Sequence, residues 1–236
     1  KEQDKGDETT LGVTPKLMEY WKRYSPQLFV TASHATQFNL EMPFGKGLIV
    51  SGNNRFYALD KKQFREFTTF LRGVLFNGKE DDLLSFLKRI KAPVIETRPV
   101  PAVWVAAGNC LIGDAKKTKN SMAVTALSRY GFNQLVGYTV PSWYGKGGWG
   151  TLGLLFSNHD ASSLAEAWYL NNQFILDETM TRFPKLMDVH FNSPDINGIK
   201  DDPDFARGMN SAGYGMGKDQ LGLIHDRDTV AFYGDP

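Results

Sequence analysis

Two apolar runs in this chain each end in a reactive side chain, and they constrain the fold more than any other feature. Leu28-Phe29-Val30-Thr31-Ala32-Ser33 runs into His34, and Ala102-Val103-Trp104-Val105-Ala106-Ala107-Gly108-Asn109 runs into Cys110. Short, nearly continuous apolar runs read as strands buried on both faces, the pattern of a parallel sheet covered by helices. Open α/β sheets bind ligands beyond the C-terminal ends of such strands. The 75 residues between His34 and Cys110 leave room for the crossover that lets two parallel strands lie together.

That placement carries chemistry. Cys110 is the single cysteine of the 236 residues. A free thiol is mostly protonated at neutral pH, whereas its thiolate is the nucleophile, and a neighbouring imidazole can take the proton and later hand it to a leaving amine. His34 and Cys110 are therefore the candidate catalytic pair. A single small cysteine after an apolar strand also fits a packed core residue, and that alternative stays open at this point. His159, His190 and His225 are further partners for the thiol, but none of them closes an apolar run. His225-Asp226 reads as a surface or turn pair.

Charge and composition exclude several classes. Lys and Arg number 27 against 26 Asp and Glu, a net charge of +1, so no global field draws the chain onto nucleic acid or an anionic membrane. No run of 18 apolar residues is present, so membrane insertion is not expected. A hydrophobic content of 42% supports a sizeable core. H-E-x-x-H, G-x-S-x-G, a P-loop and Cys-rich metal spacings are all missing from the sequence.

Along the chain, residues 1–13 read as a mobile tail or processed loop, and 14–236 as one domain. Thr14-Pro15 is an N-cap and first-turn proline for a helix bearing Leu17, Trp21 and Tyr24. Gly47–Leu59 reads as two strands joined at Gly52-Asn53-Asn54, and Asp60 with Gln63 as the cap of a helix through Phe76. Phe64, Phe67, Leu71, Val74 and Leu75 form its apolar stripe. A second helix spans about Glu80–Ile90, a third Ser121–Tyr130, and a long one Ser162–Thr181. Gly145-Lys146-Gly147-Gly148-Trp149-Gly150 spells G-x-G-x-x-G, but Pro141 to Tyr144 separate it from the strand at 134–140. It is better read as an aromatic-edged loop over a substrate groove, walled by Trp143 and Trp149, than as a dinucleotide fingerprint. Residues 192–220 read as irregular.

Histidine before cysteine, each closing a hydrophobic strand, resembles the order in caspase-like (clan CD) cysteine peptidases, and within them the gingipain family. Gly108-Asn109-Cys110-Leu111-Ile112-Gly113 resembles its nucleophile strand with Cys-x-x-Gly. Gln134-Leu135-Val136-Gly137-Tyr138-Thr139-Val140-Pro141-Ser142-Trp143 resembles the next strand and the loop bordering the specificity pocket, and Gly234-Asp235-Pro236 the end of the catalytic domain. The chain departs from the pattern in three ways. Ala35 stands where the family usually has glycine after the histidine. One subtype has two adjacent cysteines and uses the second, which would align Leu111 with the nucleophile, although the Gly113 spacing favours Cys110. Two strand–helix units expected upstream of the histidine strand do not fit in 33 residues.

The resemblance implies a three-layer α/β sandwich of caspase-like topology with a mainly parallel sheet, lacking its first strand–helix units. It implies a secreted or cell-surface thiol protease in which the N–H groups of Cys110 and Ala35 hold the oxyanion and Ser142 and Trp143 line the primary pocket. The expected partner is a protein or peptide substrate, with an N-terminal fragment supplying the missing strands. No cofactor is required; calcium as a structural ion is implied by the family, with Asp201-Asp202-Pro203-Asp204 as a candidate cluster that lacks EF-hand spacing. A catalytically silent module of the same fold is the competing expectation.

Overall fold

The structure is a computed structural model that describes residues 13–42, 46–74, 80–96, 100–115, 120–157, 163–191, 203–215 and 217–235, without the side chains of 13–16, 71–74 and 80–81. Val13 opens the first helix; the rest of the expected tail, Leu75-Phe76, His159 and Asp201-Asp202 lie outside the described residues.

The two apolar runs do form adjacent parallel strands. β1 (Leu28–Thr31) pairs with β6 (Ala102–Ala106), with Thr31 opposite Ala106, and β6 pairs in parallel with β7 (Phe132–Tyr138). β8 (Val230–Gly234) closes the sheet antiparallel to β7, giving the order β1-β6-β7-β8. Alternation along β6 explains the layers. Trp104 and Ala106 face a core shared with α1 (Val13–Tyr24), α4 (Met122–Arg129) and a second sheet, and Val105 and Ala107 face a core shared with α5 (Lys146–Ser157) and α6 (Leu164–Arg182). The result is an α/β arrangement with a mixed, mostly parallel sheet between two covering layers.

The second sheet lies between His34 and the crossover helices. β2 (Ala35–Thr36), β3 (Asn39–Glu41), β4 (Gly47–Gly52) and β5 (Arg55–Asp60) run antiparallel in chain order. The hairpin at Gly52-Asn53-Asn54 is as expected, and Asn53 and Asn54 both take positive φ (48° and 53°), which asparagine tolerates. β2 and β3 were not expected, because runs of two or three residues carry no periodic signal. Asp60 and Gln63 cap α2 (Lys61–Val74) reciprocally, and Phe67 is buried against Phe86 and Leu87 of α3 (Glu80–Arg89).

Two expectations are corrected. The glycine-rich stretch is no loop: Lys146–Ser157 is helix α5. Its glycines allow close packing that the sequence pattern hides, since a Cβ on Gly148 would stand 2.1 Å from the Ala107 carbonyl oxygen at the end of β6. Within 192–220, Pro203–Ala212 forms α7 and Lys218 begins α8 (Lys218–Thr229). Phe205 and Met209 of α7 and Ile224 of α8 bury themselves with Leu186, Val189 and Phe191, an apolar pattern masked by the surrounding Gly, Asn and Asp.

Candidate functional site

Residue by residue, the parallel register carries both candidate groups past the same sheet edge. His34 follows Thr31 by three positions and Cys110 follows Ala106 by four, on neighbouring strands. Asn109, fully buried, ties the two loops: its Nδ2 donates to the Ser33 carbonyl at 2.8 Å, and Thr31 Oγ1 donates to its Oδ1 at 2.5 Å. The Trp104 indole donates in turn to Thr31 Oγ1 at 2.8 Å. The residue before the thiol is thus bonded to the residue before the imidazole. Asn109→Ala is expected to leave the Ser33 carbonyl and Thr31 hydroxyl short of partners and to cost about 1–3 kcal/mol, read as a lower urea midpoint; an unchanged midpoint would remove Asn109 from this role.

Beyond Cys110 the backbone turns sharply. Leu111 has φ +59°, a left-handed conformation that costs a non-glycine residue on the order of 1–2 kcal/mol. Neighbouring bonds hold it there: Leu111 N donates to the Val140 carbonyl at 3.2 Å and Gly113 N to the Tyr138 carbonyl at 2.9 Å. A Cβ on Gly113 would lie 2.4 Å from the Gly137 carbonyl oxygen, so the Cys-x-x-Gly spacing has a steric cause in this fold.

Cys110 is half-buried, its Sγ lying 3.8 Å from the Ser142 carbonyl oxygen and 3.7 Å from Ser142 Oγ. Ser142 Oγ also donates to the Gly108 carbonyl at 3.1 Å, so the loop after β7 lies over the thiol. His34 is exposed, and among the described contacts none joins it to Cys110. Glu41 N donates to the His34 carbonyl at 2.9 Å, making residues 34 and 41 a bonded pair of the β2–β3 ladder. The next pair, Ala35 and Leu40, is then the non-bonded one, and the Ala35 N–H turns away from β3.

A second polar cluster lies under this loop, and here the sequence reading of His225-Asp226 is corrected. Both side chains are fully buried. His225 Nε2 donates to the Pro141 carbonyl at 3.0 Å, and Nδ1 lies 2.8 Å from Asp226 Oδ1. Asp226 Oδ2 accepts the Gly147 N–H at 2.8 Å and the Tyr138 hydroxyl at 3.2 Å, and the Tyr138 oxygen accepts the Gly148 N–H at 3.2 Å. Burial and the adjacent Asp226 carboxylate push the Tyr138 phenol up, keeping it a neutral donor. The Gly147 N–H at the start of α5 is thus committed to Asp226 of α8 and the Gly148 N–H to Tyr138 of β7, so neither is open to an outside anion. The His225 ring packs among Tyr138, Trp143 and Phe191. Trp143 is half-buried there, with its indole N–H enclosed and without a hydrogen-bond partner among the described residues. The local signal for this cluster was Leu223-Ile224 immediately before the pair, apolar residues that are buried with it in an enclosed stretch of α8.

No group of three or more His, Cys, Asp or Glu side chains among the described residues is placed to hold a metal ion. Asp204 pairs with Arg207 on α7. No helix of the described residues is long and apolar enough to cross a membrane. No family model, curated protein or solved structure matches the chain.

Proposed function

We propose that the chain is a cysteine endopeptidase of gingipain-like type with a caspase-like fold, using His34 and Cys110 through an acyl-enzyme. The observation that carries this reading is the buried Asn109 link between the residues preceding His34 and Cys110 at the ends of adjacent parallel strands. The Cys110 thiolate attacks the scissile carbonyl, and the oxygen gains negative charge. The N–H groups of Cys110 and Ala35 hold that charge, the latter turned away from its own ladder. His34 protonates the leaving amine as the C–N bond breaks, and water hydrolyses the thioester, releasing a carboxylate and restoring the thiol. Ser142 and Trp143 border the primary pocket. In this reading β1, at the sheet edge, receives strands from an N-terminal fragment, and the enzyme works in a secreted or cell-surface setting.

One observation favours a second reading, a catalytically silent module of the same fold: the Cys110 sulfur contacts Ser142, and His34 stands exposed. Incubation with a diverse peptide mixture, read by mass spectrometry, separates the two. Cleavage products that carry a common residue at the new C-terminus support the peptidase, and an unchanged mixture supports the module. Added amines that appear as new C-terminal amides would mark transpeptidation as the acyl-enzyme's fate.

A further inference from the structure

Between α5 and α6, beside the thiol loop, runs a groove of about 540 Å³ lined by Tyr144, Lys146, Trp149, Asn171, Phe174 and Glu178 among others. It adjoins Cys110 through a chain of contacts. The Trp149 indole lies against Gly108, where an added Cβ would come within 3.3 Å of Nε1, and the Gly108 carbonyl accepts the Ser142 hydroxyl that also faces the sulfur. On its other side the indole lies over Gly145, whose φ of +94° and close approach both suit glycine.

The polar groups of the groove are already engaged. Asn171 Nδ2 donates to the carbonyls of Lys146 and Gly147, at 3.0 and 2.9 Å. Glu178 is paired with both Lys146 and Arg182, and the Lys146 hydrogen bond is the leading cause that holds its carboxyl below the usual range. Tyr144 donates to Asp219 at 3.1 Å, and its phenol is pushed up to about 12, first by burial and then by that bond. What the groove still offers is aromatic surface: Trp149 is 50% and Phe174 57% exposed. Large aromatic side chains left this open beside a reactive group mark a binding surface.

Building on the peptidase reading, we propose that this groove is a substrate subsite for a neutral aromatic or large aliphatic side chain close to the scissile bond, gripped by Trp149 and Phe174. A basic side chain finds no unengaged carboxylate there, and an acidic one meets only a lysine already held by Glu178.

The test uses the full chain and two kinds of thiol probe. Iodoacetamide reports whether Cys110 reacts at all; acetyl-tripeptidyl chloromethyl ketones, which form a thioether with loss of chloride, carry Phe, Leu, Asp or Lys at each position in turn. Phe at one position is expected to label Cys110 about tenfold or more faster than Asp. Phe174→Ala and Trp149→Ala should each reduce that preference once each variant's labelling rates are divided by its own iodoacetamide rate. Phe174→Asp, an exposed replacement that leaves the core intact, should move the preference toward Lys. A Phe preference that survives all three variants, or no preference at any position, overturns the subsite while leaving the thiol reading standing. A Cys110 inert to iodoacetamide in the folded protein overturns the peptidase reading itself, and the subsite with it.

Discussion

Cys110→Ala is expected to abolish peptide hydrolysis, and His34→Ala to lower kcat/KM by roughly 10²–10⁴-fold at neutral pH. The two losses differ because the residues do different work. Without sulfur no acyl-enzyme forms, whereas without imidazole the nucleophile remains and water must protonate the leaving amine. Neither change should disturb the fold, since His34 is exposed and Cys110 half-buried, so urea midpoints should stay within about 0.5 kcal/mol of the parent. Hydrolysis that persists in Cys110→Ala would contradict the assignment of the nucleophile.

The second large effect is on stability. Asp226→Ala is expected to cost about 3–5 kcal/mol, because removing one member of a buried pair leaves its partners in a dry site. Three groups meet this carboxylate: the His225 ring, the Gly147 N–H at the start of α5, and the Tyr138 hydroxyl. They belong to α8, α5 and β7, so the loss acts on three elements at once. Asp226→Asn keeps the shape and one carbonyl acceptor, and should cost less, about 1–3 kcal/mol. Urea denaturation followed by tryptophan fluorescence measures both; a cost below about 1 kcal/mol for Asp226→Ala would show the cluster to be dispensable. His225 holds the Pro141 carbonyl, so His225→Ala is expected to loosen the Ser142-Trp143 loop and to alter KM as well as stability.

Strong local signals transmitted well from sequence to fold. The runs ending at His34 and Cys110 form strands as their apolar, β-branched residues predict, but of the two only β6 is buried on both faces, whereas β1 at the sheet edge is half-buried with Val30 exposed. The Asp60/Gln63 cap was legible because its bonds are local. The failures share the opposite property, dependence on partners far away in the chain. Gly147 and Gly148 read as loop residues until Val230 and Ala107 press on them. His225-Asp226 reads as polar surface until α8 places it beneath β7 and α5. Asn109 was invisible as a clamp because its partners, Thr31 and Ser33, lie more than 70 residues earlier. Of the candidate site, the two end-of-strand residues and Ser142 come together around one sheet edge. Among the described contacts none joins His34 to Cys110, and in the proposed mechanism that contact forms on substrate binding, as catalytic hydrogen bonds often tighten only in the complex.

The most direct measurement is therefore the rate of Cys110 alkylation by iodoacetamide across pH 4 to 9, followed by mass spectrometry, in the parent chain and in His34→Ala. The account predicts that Cys110 is modified in the folded protein and that the pH–rate profile changes when the imidazole is removed. A thiol that reacts only after unfolding, or a profile identical in both proteins, would contradict a His34–Cys110 dyad.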